Sequence, residues 1–189
     1  ITQIVESFEA AYELEATYRT AHHGAELMPP EWVDSEPVEF AQPEGDSAPV
    51  VYDQDGVVVK AFRAIHEPVD PAVGYRIEFE DNVVVISGDT LRTTALLTHS
   101  QNADLLVAEA MNKDVVQAME RAAEEMGDTV NATLLFDIQD YHMDIREVGV
   151  LATEANVQRL ALNHLAPKPQ GDQQAKRIFE DPVKESYSG

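Results

Sequence analysis

Apolar residues recur every three to four positions along residues 3–22, at Ile4, Phe8, Ala11, Tyr12 and Tyr18, with Glu15 in the same register. That period matches the α-helical turn and predicts an amphipathic helix, which Gly24 and the Pro29-Pro30 pair bring to an end. Residues 31–48 have no period, are rich in Pro, Glu and Asp, and read as a loop with one short strand at Val38-Glu39-Phe40. The pattern then changes to β-branched runs. Val50-Val51-Tyr52, the turn Asp53-Gln54-Asp55-Gly56 and Val57-Val58-Val59 predict a hairpin, because Asp-Gly supplies the left-handed backbone of a tight turn. A second hairpin is expected from Tyr75–Phe79 through Asp81-Asn82 into Val83–Ile86.

Farther along, residues 91–100 read as helix, Leu105–Val107 as a short buried strand, and Val115–Met126 as a helix with Val116, Met119 and Ala123 inward. A helix over Arg146–Ala155, a strand over Val157–Leu162 and a short helix over Gln173–Phe179 follow, and no repeat appears. Strands first, then alternating strands and helices, predict an α/β (α+β) chain forming one half of an αββα sandwich. The 189 residues fit a single domain, with the 1–30 helix flanking it and the 31–48 loop preceding the main sheet.

Composition narrows the chemistry. There is no cysteine, which excludes disulfides and thiolate metal sites and leaves imidazole and carboxylate as ligands. No apolar stretch approaches the length of a membrane span and no signal-peptide pattern opens the chain, so a cytoplasmic location without a membrane partner is expected. The formal charge of −22, from 35 acidic and 13 basic residues, is dispersed like a high-salt-adapted surface and repels polyanions. Nucleic acid is therefore not expected as a partner.

The strongest chemical signal is Val83-Val84-Val85-Ile86-Ser87-Gly88-Asp89-Thr90, an apolar strand ending on a glycine turn that presents one carboxylate. A strand end holds a metal ligand rigidly while leaving room above it; the alternative is a plain turn and helix N-cap. Ala64-Ile65-His66, Asp140-Tyr141-His142 and Leu162-Asn163-His164-Leu165 also place histidines after apolar or periodic runs. His142, after a polar stretch, is expected in an exposed loop, and His22, His23 and His99 read as helix-end or surface residues.

With Val58–His66, Gly74–Ile77, Ile86–Thr90, Ala103–Ala110, Asp140–His142 and Leu162–Pro167 in this order, residues 57–167 resemble the metallo-β-lactamase superfamily, in particular its ribonuclease Z and arylsulfatase-like hydrolases. The resemblance implies a metallo-β-lactamase αββα fold and a metal-dependent hydrolase with two Zn2+ ions, Mn2+ or Fe being alternatives. It implies Asp89 as a bridging metal ligand, His66 as a ligand to one ion and His164 to the other, and His142 as a catalytic substrate-side acid. The superfamily's His-x-His-x-Asp-His motif is absent, so the chain is expected to be the C-terminal part of a longer hydrolase and inactive alone. Where ribonuclease Z enzymes insert a long arm between Gly74-Tyr75-Arg76 and Ser87-Gly88-Asp89, this chain has only a tight turn. Together with the charge, that points to a small-molecule ester substrate, a sulfate ester or phosphodiester, and is compatible with a homodimer. The rival reading is a degenerate, non-catalytic binding or assembly protein.

Overall fold

The computed structural model describes residues 2–189. The chain divides into two compact units, Ile1–Ala41 and Gln42–Gly189. In the first, α1 (Thr2–His23) is followed by a 3-10 turn at Pro30–Val33. Ser35 N donates to the Glu9 carboxylate and Thr20 Oγ1 to Met28 O, folding the chain back along the helix. Within α1 only Ala16 is buried, and Ile4, Phe8, Tyr12 and Tyr18 stay exposed. The periodicity thus identifies the helix, although its aromatic stripe lacks a core. Residues 38–40 are not a strand.

The second unit carries one six-stranded sheet in the order β1 (Val50–Gln54), β2 (Val57–Arg63), β3 (Val73–Phe79), β4 (Asn82–Ile86), β5 (Leu105–Met111), β6 (Leu160–Ala166). β1 to β4 pair antiparallel, whereas β4–β5 and β5–β6 pair parallel. The first hairpin turns on Asp55 and Gly56, both at positive φ (53° and 80°), the backbone that a two-residue turn between right-twisted strands demands. The second turns one residue earlier than expected, on Glu80 and Asp81, because Asn82 already pairs with Phe79.

The register places the site. β2 is antiparallel to β3, and β3 to β4, so β2 runs in the same direction as β4, β5 and β6. Four carboxyl ends therefore open on one edge of the sheet, where α/β folds collect ligands. Behind that edge, α2 (Thr94–His99), α5 (Ile145–Glu154) and α7 (Asp181–Lys184) contribute to one core with Phe62, Val85, Leu106 and Ala108. α5 buries Ile145, Val148, Leu151 and Ala152 on one face, each large side chain worth roughly 1.5–3 kcal/mol. Its start is capped from both directions, Asp144 Oδ1 accepting from Arg146 N and the Glu147 carboxylate accepting from Asp144 N. This arrangement is one sheet of the expected sandwich with its helices.

Several local expectations shift. β5 continues to Met111 and β6 lies at Leu160–Ala166 instead of 157–162. Between them α3 (Lys113–Glu125) buries Val116 and Ala123 but leaves Met119 43% exposed. An unanticipated helix α4 (Thr129–Asp137) follows, its start capped by Asp128. The last helical stretch is longer than expected: α6 (Asp172–Ala175), a π-helical turn at Lys176–Glu180, then α7.

Candidate metal centre

Each of the four carboxyl ends supplies one piece of the site. After β2 the chain reaches His66, and after β4 it turns at Gly88 (φ 63°) to present Asp89. A Cβ at Gly88 would lie 2.7 Å from Val73 O, so both the backbone angle and the space require glycine. The two loops are zipped together. Leu91 N donates to Ile65 O, and Thr90 Oγ1 accepts from Ile65 N while donating to Leu91 O. His66 Nε2 consequently lies 4.0 Å from Asp89 Oδ2.

His164 arrives from β6 by a different device. Asn163 pairs with Glu109 and Leu165 with Ala110, leaving His164 as the extra residue of a β-bulge at φ 41°. Bulges re-aim side chains, and this one brings His164 Nε2 to 3.4 Å from Asp89 Oδ2. A histidine at positive φ costs on the order of 1–3 kcal/mol, held in place by the surrounding ladder.

The buried side of the site is organised by Glu109 on β5, a residue that sequence reasoning did not single out. It is 1% exposed, and its Oε1 accepts from Thr90 N (3.1 Å) and Met143 N (3.0 Å), tying the Asp89 loop to the segment before α5. The signal was a lone acid within an apolar run, since an unpaired buried carboxylate is too costly to occur by chance. His142 is 7% exposed, which corrects the expectation of an exposed loop residue: the hydrogen bond from Met143 to Glu109 draws it inward. His142 Nδ1 sits 3.2 Å from Glu109 Oε1 but off the hydrogen-bonding direction. His142 also packs against His66 and His164, with ring centroids 5.1 and 5.5 Å away, and Tyr141 lies 4.8 Å from the His66 ring.

His66, Asp89 and His142 form a group able to hold a metal ion, with donor atoms within 4.8 Å of one another. Two buried ring nitrogens, His66 Nε2 and His142 Nδ1, have no hydrogen-bond partner among the described residues. Such orphaned imidazole nitrogens beside a carboxylate suit a divalent ion that takes nitrogen and oxygen ligands. His22 and His23 end α1, and His99 ends α2, stacked on Phe62 and bonded to Asp46 O.

No family model matches the chain. A ribonuclease Z from Mycobacterium bovis (strain BCG / Pasteur 1173P2) is 31% identical over 165 residues, spanning 87% of this chain and 52% of that protein. A putative ribonuclease Z from Mycobacterium tuberculosis (strain CDC 1551 / Oshkosh) is 30% identical over 165 residues, 87% of this chain and 65% of that protein. Among solved structures, the metallo-beta-lactamase fold protein YhfI from Bacillus subtilis superposes with a TM-score of 0.52 at 23% identity, covering 76% of this chain and 48% of that one. The chain has the metallo-β-lactamase fold. By sequence the chain is ribonuclease Z-like, and it spans about half the length of the first of these relatives. These relatives overturn one expectation: they are ribonuclease Z proteins, against the expected small-molecule ester with nucleic acid excluded. Net charge averages over a surface, whereas a substrate meets a local field, so a charge of −22 does not by itself exclude a polyanion. The relatives give the sulfate ester no support either. No helix among the described residues is long and apolar enough to cross a membrane.

Proposed function

We propose that this chain carries the metal-binding and proton-donating side of a metal-dependent hydrolase that cleaves phosphodiester bonds in RNA. The observation that carries the reading is the meeting of His66, Asp89, His142 and His164 at one sheet edge, where the buried His66 Nε2 lacks a partner among the described residues. His66, Asp89 and His164 would hold the metal, with zinc the ion best matched by imidazole and carboxylate without thiolate. A bound divalent ion supplies Lewis acidity that polarises the phosphoryl group and makes water nucleophilic near neutral pH.

The chain's own residues do the rest. Asp89 Oδ2 faces both His66 and His164, so one carboxylate can serve donors arriving from two different loops. His142 is placed to give a proton to the departing alkoxide, its ring packed against those of His66 and His164 and drawn inward by the bond from Met143 N to Glu109. The fixed backbone bonds to Glu109 keep that placement while substrate comes and goes.

The test is a pair of substitutions in the full-length protein, followed by RNA cleavage and metal analysis. His142→Ala is expected to lower turnover by about 10²–10⁴-fold with metal content retained, the usual worth of a general acid. Asp89→Ala is expected to lose metal as well as rate. Loss of an ion from His142→Ala would make His142 a ligand, and undiminished cleavage would remove it from the mechanism.

A further inference from the structure

An acidic chain that acts on RNA needs a place where phosphates are not repelled. Of the 13 lysines and arginines, six pair with no carboxylate among the described residues: Lys113, Arg121, Arg159, Lys168, Lys176 and Arg177. Half of these unpaired cations fall within residues 168–177, and all three there are exposed. They share the segment with a single carboxylate, Asp172, while Gln170, Gln173 and Gln174 fill most of its other polar positions.

The segment is held in place. Asn112, 4% exposed, grips both of its ends, its backbone N donating to Ala166 O (2.8 Å) and its side-chain Nδ2 to Ile178 O (2.6 Å). The same side chain caps α3 by accepting from Val115 N. Inside the loop Gln174 Oε1 accepts from Gln170 N, and Ala175 N donates to Gly171 O. Its first residues directly continue β6, Lys168 standing four positions beyond His164. A pinned loop whose cations have no carboxylate partner among the described residues keeps its charge available to an external anion, and it follows directly on the strand that carries His164.

We infer that the loop 167–177 binds the phosphodiester backbone of a single-stranded nucleic acid flanking the scissile bond, with Lys168, Lys176 and Arg177 as the contacting cations. This rests on the RNA reading above. Contacts of this kind position a strand without reading its bases, and each one releases condensed counterions, so binding weakens as salt rises.

The experiment measures binding of a fluorescent single-stranded RNA to the full chain by anisotropy, in chelator, across a salt series. Lys176→Ala/Arg177→Ala is compared with Arg121→Ala/Arg159→Ala, which removes equal charge from unpaired cations elsewhere. The loop variant is expected to bind at least about 10-fold more weakly and to flatten the log–log salt slope by roughly 1.4, at about 0.7 per phosphate contact on a single strand. The control should lose less than about 2-fold and keep its slope. Equal losses and equal slopes in both variants would overturn the loop assignment while leaving RNA as the substrate. No RNA binding by the parent chain even at low salt would overturn both.

Discussion

The two sides of the candidate metal centre are built by opposite means. Glu109 and His142 are sealed in, 1% and 7% exposed, and held through backbone donors of neighbouring loops. Asp89 and His164 stand at the surface, their side chains 38% and 56% exposed, and are positioned by backbone shape: a glycine turn for one, a bulge for the other. The buried side is thus coupled to the stability of the fold, whereas the open side can give or take a ligand with little effect on it. The open side is also the one that solvent reaches.

The sharpest way to break this contrast is Glu109→Ala. It strands the Thr90 and Met143 N–H groups without an acceptor and leaves a void, so a loss of about 3 kcal/mol or more is expected in chemical denaturation. A loss below about 1 kcal/mol would mean that Glu109 is not the tie between the loops. Gly88→Ala should come next, at about 2 kcal/mol, from the positive φ and the approach of Val73 O. Asp89→Ala, one residue along, should change stability by less than about 0.5 kcal/mol, while weakening zinc binding at least about 10-fold by calorimetry. If Asp89→Ala unfolds the chain instead, the open side is not independent.

Away from the site, Glu78 tests the surface. Hydrogen bonds from Arg76, then Lys60, hold its carboxyl below the ordinary 4.5. A depressed carboxylate stabilises the fold above its unfolded value and stops doing so as pH falls through the folded one. Glu78→Gln should therefore cost less than about 1 kcal/mol at neutral pH, and its difference from the parent should vanish in acid below 4.5. A difference that persists unchanged in acid would assign the effect to packing.

What could be read from the sequence follows the same division. Asp89 was legible because an apolar run ending in Gly-Asp is a local signal, and the hairpin at Asp55-Gly56 for the same reason. Adjacent elements shaped by distant contacts were not. His142 follows Asp137, Gln139 and Asp140, whose polarity suggested exposure, yet Glu109 thirty-odd residues earlier draws it inward. β6 was placed too early because Asn163 and His164 interrupt its apolar pattern, and that interruption is the bulge that aims His164. Glu109 and α4 were missed because a single acid in a strand, and a mixed run after Asp128, have no period of their own. Substrate class was the least legible, since total charge says little about one pinned loop.

One detail of the connection between β5 and α5 bears on how such proteins diversify. Met111 N donates to Met143 O across 2.9 Å, so the chain leaves for the α3–α4 hairpin and returns at nearly one point. Closure entropy changes by only about 0.6 kcal/mol per doubling of a loop's length. Residues 112–142 therefore behave as an exchangeable cassette. A change of length in most of it would re-register no strand, provided Asn112 and His142 stay at its two ends, and the sheet edge that carries His66, Asp89 and His164 would keep its form.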